Sequence, residues 1–308
     1  MIPLQLQKFV TKHLGAVTGF RDISWDHGES AVFRVVSRER SAIVKGHRQR
    51  RKFRQELHAY SSWLPRLELP SGIKVPSLLA WQDAPFPALL LSDEPGDLLE
   101  SVRLDRTAEL SAHALAGRFL AALHALELPQ ADPLPLSEAY LQRLAAWCER
   151  ATGKVPPGII SSVQTAVHEV VPLLQQRNRA ACHRDFTPRN WLVTTTGRLT
   201  VIDFEHSRPD LPLIDFERMY CGLWRKRPDL QEAFLSGYGR PLTAEDETLL
   251  RGTAALGGLS TIVWARQHGD PEFEAHGWDV LDWLGLAKAP APAGSVALRS
   301  GSGDEREH

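Results

Sequence analysis

The sequence predicts an α+β fold of two lobes, a small β-sheet lobe with one helix followed by a larger, mainly helical lobe. Three observations lead there. Between about 30 and 91 the apolar residues fall in short alternating or β-branched runs, AVFRVVS, SAIVKG and PALLLSDE, as half-buried strands require. Beyond SDEPGD, whose Pro95 and Gly96 mark a connector, apolar residues recur at three- and four-residue steps. Within that helical part, NWLVTTT and RLTVIDF form a single β-rich interruption joined through Gly197, which reads as a hairpin.

Each element has its own signal. Phe53, Leu57, Tyr60 and Leu64 place one amphipathic helix over residues 50–64, between the second and third strands. Leu110, Ala114, Gly117 and Ala121 share one face of a long helix from Thr107 to Leu128, capped by Thr107 or Asp105 and ended by the stretch from Pro129 to Pro135. Further helices fall near 137–150 and 159–177, and helical periodicity returns from about Pro212 to Leu286. From Ala287 the chain is rich in Pro, Gly, Ser and charge, the composition of a disordered tail. The expected divisions are 1–94, 95–286 and 287–308.

Composition excludes several functions. At 308 residues and 43% hydrophobic content the chain can bury a large core. With 36 Lys and Arg against 37 Asp and Glu, no global charge draws it to nucleic acid or an anionic membrane. The run from Lys45 to Arg54 holds six basic residues and could be a nucleic-acid patch, but a solvated helix start explains it better. Cys148, Cys182 and Cys221 are too widely spaced for a thiolate zinc site and suit reduced thiols in a cytosol. No stretch approaches the ~18 apolar residues of a membrane span, and the first residues lack a signal-peptide pattern, so a cytoplasmic protein is expected.

The hairpin carries the chemistry. Asp185 and Asn190 enter its first strand and Asp203 ends its second, so antiparallel pairing gathers three oxygen-bearing side chains at one end. Clustered carboxylates repel, and such a group commonly exists to hold a cation. A small set of oxygen ligands suits Mg2+, which is commonly completed by nucleotide phosphates. Phosphoryl transfer is the reaction this points to.

HRDFTPRN followed by IDFE resembles the catalytic and metal loops of the protein-kinase-like superfamily, with its Asp-to-Asn spacing of five. Across the chain the closer similarity is to the aminoglycoside phosphotransferase and choline kinase family of small-molecule kinases. It rests on Lys45 in a strand, Glu56 in the next helix, LLLSDEPGDLL between lobes, LAGRFLAALHAL before the catalytic loop and IDFERM after the metal loop. The similarity covers roughly residues 20 to 260 and is strongest from 181 to 220.

The resemblance implies a protein-kinase-like fold, with 1–94 as the nucleotide-binding lobe and 95–286 as the catalytic and acceptor-binding lobe. It implies that Lys45 contacts nucleotide phosphates and pairs with Glu56, that Asp185 accepts the proton of an attacking hydroxyl, and that Asn190 and Asp203 bind Mg2+. Backbone from Ser92 through Asp93 to Glu94 would meet the adenine of ATP, and Asp215 would support the catalytic loop. Arg189 could touch the γ-phosphate or form a structural ion pair, and His183 and His124 are read as structural.

Two positions depart from the pattern. Arg184 stands where these phosphotransferases usually have glycine, and Glu205 where protein kinases have it. The turn before the second strand has only Gly28, so phosphate binding would rest on Lys45, metal and the Gly28 and Ser30 amides. No GxxxxGK[ST] loop is present.

The function implied is ATP- and Mg2+-dependent transfer to a hydroxyl of a small molecule, with no nucleic-acid or membrane partner and the oligomeric state open. Only twelve residues separate Asp203 from Asp215, too few for a protein kinase's activation segment. An antibiotic such as an aminoglycoside is the leading acceptor by family analogy, and hence antibiotic resistance the leading role. A metabolite such as choline, homoserine or a sugar is the alternative, and a nucleotide-binding pseudokinase the rival. Trp224, Trp264, Trp278 and Trp283 lie where the family builds its acceptor pocket, and most would be core. Asp270, Glu272, Glu274, Asp279 and Asp282 could receive a cationic acceptor or form a solvated face.

Overall fold

The computed structural model describes residues 2–24, 30–128 and 134–288. The turn around Gly28, most of the helix-breaking stretch after Leu128 and nearly all of the expected tail lie outside them.

The first lobe contains α1 (Leu4–Leu14), β1 (Val17–Asp22), β2 (Ser30–Ser37), β3 (Ser41–His47), α2 (Arg50–His58), β4 (Ile73–Lys74), β5 (Leu78–Gln82) and β6 (Ala88–Ser92). Five of these strands form one antiparallel sheet in the order β1-β2-β3-β6-β5. Its two faces follow the period of two. Phe33, Val35, Ala42, Val44, Ala88 and Leu90 pack on one side against Leu6, Phe9 and Val10 of α1. Leu89 and Leu91 point the other way, toward α2, and so does Lys45, which pairs in register with Leu89.

The helix expected over 50–64 is regular only to His58. It continues as a wider π turn over Ala59–Trp63 and a 3-10 turn over Leu64–Arg66, with Tyr60, Trp63 and Leu64 all buried. Pro65, which has no N–H to donate, stands in the final turn.

A connector strand, β7 (Asp97–Leu98), leads into α3 (Arg106–His124), α4 (Leu136–Ala151) and α5 (Pro157–Gln175). Asp105 caps α3 by accepting from the Ala108 amide at 2.9 Å. The chain then passes through β8 (Ala180–Cys182), β9 (Trp191–Val193), β10 (Leu199–Val201) and β11 (Arg208–Asp210). It ends in α6 (Ile214–Cys221), α7 (Leu223–Lys226), α8 (Pro228–Tyr238), α9 (Ala244–His268) and α10 (Pro271–Trp283).

The small-residue face of α3 has a packing reason. Gly117 lies so close to α8 that a Cβ there would stand 2.0 Å from the Phe234 carbonyl oxygen, and Gly237 of α8 presses as tightly on Ala114. α3 also packs against the short strands β8 and β10. β9 and β10 form the expected hairpin, with Trp191 opposite Val201 and Leu199 opposite Val193. β4 from the first lobe adds to β10 in parallel and β7 to β9, stitching the lobes beside the site.

Candidate active site

Lys45 is the centre of one half of the site. Its ammonium lies 2.6 Å from Asp203 Oδ1 and 3.0 Å from a carboxylate oxygen of both Glu56 and Glu205. Burial alone would lower the Lys45 pKa, but Asp203, Glu56 and Glu205 together raise it well above its ordinary value. The charge is therefore held. Glu56, fully buried, is favoured as a carboxylate by Lys45 and by His47, whose Nε2 lies 3.0 Å away, against the opposing effect of burial. Glu56 also accepts from the Phe204 amide, so a helix of the first lobe is bonded to the backbone of the loop after β10 in the second.

Glu205 is the residue sequence reasoning undervalued. Besides Lys45 it accepts from Lys52 at 2.8 Å and from the Ser30 hydroxyl at 2.8 Å. Both of those donors belong to the sheet lobe. Burial raises its pKa, and Lys45 and Lys52 more than reverse this, so it is ionised. The position after Asp203-Phe204 was noted as a departure, and that was the available signal.

The other half is built on the loop after β8. His183 donates its amide to Asp215 Oδ2 at 2.9 Å and Arg184 donates its amide to Oδ1, while His124 Nε2 lies 3.0 Å from the same side chain. Asp215 thus fixes two successive amides from a position 2% exposed. His183 Nε2 bonds the Ile202 carbonyl, tying this loop to the end of the hairpin. Arg184 and Asp203 both sit at left-handed φ, 65° and 66°, a region that disfavours side-chain-bearing residues. The unassigned partner of Arg184 is Asp210, 2.9 Å from its Nε and also met by Arg143 at 2.8 Å.

Asp185 lies between two arginines. Arg189 donates to Oδ2 at 2.6 Å and Arg218 to Oδ1 at 2.7 Å, and Asn190 Nδ2 adds a bond to Oδ2 at 3.0 Å. Burial would raise the Asp185 pKa, but Arg218 and then Arg189 hold it far below the usual carboxylate range. The hairpin keeps the geometry, since the Ile202 amide donates to the Asn190 carbonyl at 3.0 Å and so places Asp203 beside that loop. Asp185 and Asn190 are in direct contact, and Asp203 directly follows Ile202, whose amide bonds the Asn190 carbonyl.

Other candidates are placed differently. Asp93 pairs with Arg34 at 3.0 Å, so its side chain is committed within the first lobe. The Ser92 hydroxyl bonds Glu94 at 2.7 Å, and Lys74 lies 3.8 Å from the same carboxylate. Arg189 takes the ion-pair alternative, to Asp185. Trp224 and Trp278 are buried, and Trp264 stacks on His268. Arg218 was not foreseen, though it lies within the IDFERM segment that carried the resemblance.

The oxygen-only donor set suits a hard cation. Asn190 spends its Nδ2 on the Asp185 carbonyl and carboxylate, leaving its amide oxygen as acceptor, and Asp203 is 26% exposed with one oxygen on Lys45. Asn190 and Asp203 therefore fit Mg2+.

A family described as the phosphotransferase enzyme family matches residues 20–252. No curated protein matches the chain. Among solved structures, a ternary complex of streptomycin, ATP and APH(2")-IIa superposes with a TM-score of 0.70 at 16% identity, over 94% of this chain and 98% of that one. A thermostable mutant of aminoglycoside phosphotransferase APH(4)-Ia with AMP-PNP and hygromycin B gives 0.69 at 16%, over 92% and 98%. ADP-bound aminoglycoside phosphotransferase APH(2'')-Ib gives 0.67 at 17%, over 94% and 98%. These likenesses show a shared fold, and the family match spans most of the sequence and both halves of the site: the chain belongs to the phosphotransferase enzyme family.

Proposed function

We propose that the protein transfers the γ-phosphate of ATP to a hydroxyl of a small molecule with the help of Mg2+. The observation that carries this is a lysine ringed by carboxylates, one of them Asp203, on the same hairpin as an aspartate that contacts an asparagine five residues on. Nucleotide complexes of proteins with this fold support ATP as the donor.

Lys45 holds and orients donor phosphates, kept in place by Glu56. Bound by Asn190 and Asp203, Mg2+ would neutralise charge on those phosphates. Asp185 orients the acceptor hydroxyl and takes its proton. The alcohol oxygen forms the new P–O bond while the bond from the γ-phosphorus to the β–γ bridging oxygen breaks, and ADP leaves with that electron pair. Arg189, bonded to Asp185 Oδ2, fixes the direction of that carboxylate. Closing the two lobes excludes water from the reacting phosphoryl group.

The aminoglycosides in the neighbouring structures make antibiotics one acceptor class. Metabolite alcohols are the other, and the two arginines on Asp185 favour the anionic part of that class. The test is a phosphate-transfer assay with ATP and Mg2+ over aminoglycosides, other antibiotics, amino alcohols, sugars and hydroxy acids, read by mass spectrometry for the compound that gains a phosphate. Nucleotide binding without transfer to any of them would favour a pseudokinase and defeat the reading.

A further inference from the structure

The acceptor's charge class can be read from what surrounds the outer face of Asp185, an inference that rests on the phosphotransfer reading above. The two carboxylate oxygens of Asp185 face different company. Oδ2 meets Arg189 and Asn190, on the side of the metal-binding candidates, whereas Oδ1 meets Arg218 from α6, on the side of the helical lobe. Arg218 is 40% exposed and its guanidinium carbon lies 5.7 Å from the centroid of Phe273 on α10. A cation on an aromatic support, open to solvent and touching the proposed base, stands where an acceptor must pass.

Three of the five acidic residues that could welcome a polycation are engaged elsewhere, while Glu272 and Asp282 are exposed. Asp270 caps α10 by accepting from the Phe273 amide, Glu274 takes Arg266 and the Trp278 indole N–H, and Asp279 takes Arg225. Glu217, the neighbour of Arg218, has its carboxyl pushed up to about 7 by burial, which favours its neutral form. It feels both Arg218 and Arg184. Behind it, Arg143, Arg184 and Arg208 share the single buried carboxylate of Asp210, at 2.8, 2.9 and 3.8 Å. The buried Arg208 Nε has no hydrogen-bond acceptor among the described residues. Around Asp210, three arginines therefore face one carboxylate.

We propose that the acceptor is an anionic alcohol, with its hydroxyl at Asp185 and its carboxylate or phosphate received by Arg218. One nitrogen of Arg218 is used on Asp185, and the rest of the planar fork matches a carboxylate or phosphate in two-point contact. An anion so held draws Arg218 away from Oδ1 and opens that oxygen to the hydroxyl. A polyamine alcohol would meet like charge at the same place.

The test uses the full chain saturated with AMP-PNP and Mg2+, so that added anions cannot enter the nucleotide site. Inorganic phosphate, L-malate and glycerol 3-phosphate are compared with glycerol and kanamycin by thermal shift and calorimetry. Phosphate and at least one anionic alcohol should raise Tm by about 3 °C or more at saturation, with glycerol and kanamycin inert. Arg218→Gln should weaken the anions by roughly 10- to 100-fold, and Arg218→Lys by less. A stronger response to malate locates a carboxylate acceptor, and to glycerol 3-phosphate a phosphorylated one. Kanamycin stabilising the protein as well as the anions do, indifference to all three anions, or wild-type anion affinity in folded Arg218→Gln would each overturn the proposal. Failure of AMP-PNP itself to bind would bring down the phosphotransfer reading first.

Discussion

Lys45 and Asp185 are opposite solutions to one problem, a buried charge that must stay charged. Lys45 is encircled by carboxylates drawn from both lobes, Glu56 from α2 and Asp203 and Glu205 from the loop after β10. Asp185 is encircled by guanidiniums from its own lobe, Arg189 from its loop and Arg218 from α6. The first ring changes whenever the lobes move. The second does not. A nucleotide between the lobes can therefore rearrange the lysine's partners while the proposed base stays aimed by its own lobe, which separates binding from chemistry.

The largest effect should come from breaking the second ring at its centre. Asp185→Asn is expected to lower kcat by ~10²- to 10⁴-fold, since it removes the proton acceptor, while nucleotide affinity stays within about twofold. Rapid-quench turnover and calorimetric titration of AMP-PNP measure the two. Equal loss of both would mean that the two rings are not independent.

Lys45→Met breaks the first ring instead. It leaves Glu56 fully buried with His47 and the Phe204 amide, and removal of one member of a buried ion pair costs about 3 kcal/mol or more. Urea unfolding should show that loss, and nucleotide affinity should fall by roughly tenfold or more through the missing phosphate contact. Unchanged affinity would remove Lys45 from the nucleotide site.

The same contrast has a pH signature. The Lys45 pKa is raised because its three carboxylates outweigh burial, so above the ordinary 10.5 the folded protein keeps a proton that the unfolded chain releases. Its stabilising contribution is complete below that pH and is lost as pH rises through the elevated value. The Asp185 pKa is depressed because Arg218 and Arg189 outweigh burial, so below the ordinary 3.8 the unfolded chain binds a proton that the folded protein refuses. That contribution is complete above 3.8 and is lost as pH falls. Stability measured against pH in Lys45→Met should therefore lose part of its alkaline decline, together with the part of the acid limb that Glu56 and Glu205 owe to Lys45, whereas Asp185→Asn should lose only its own part of the acid limb.

The two rings also differ in how far sequence could reveal them. Asp185, Asn190 and Asp203 lie within nineteen residues on a hairpin whose alternation fixes their convergence, so the short-range pattern was sufficient. Lys45 was legible as well, because period-two alternation sets its direction and the next helix supplies Glu56. Glu205 was not, since its partners Ser30 and Lys52 stand 175 and 153 residues away and pairing at that distance leaves no local periodicity. Arg218 was hidden by its neighbours, as an exposed arginine in an amphipathic helix looks like any solvated residue until Asp185 is beside it. α1 was missed for a different reason. Leu6, Phe9 and Val10 have helical spacing, but in so short a segment that spacing acquires meaning only from the sheet face they cover.

The smallest effect concerns Arg184, the residue before Asp185. Arg184 holds a left-handed φ of 65°, which costs a side-chain-bearing residue about 1–2 kcal/mol and glycine almost nothing. Its side chain offsets this by meeting Asp210, but Arg143 and Arg208 meet the same carboxylate. Arg184→Gly therefore relieves the backbone and removes one of three cations around one anion, whose mutual repulsion already pulls the Arg208 pKa down to about 9, after the larger effect of burial. The two changes nearly cancel, and stability should shift by no more than about 1 kcal/mol, measured by urea unfolding. The Asp215 bond to the residue-184 amide survives in glycine, so kcat should hold within about threefold. A loss of more than about 2 kcal/mol would show that Arg184, rather than Arg143, is the cation on which Asp210 depends.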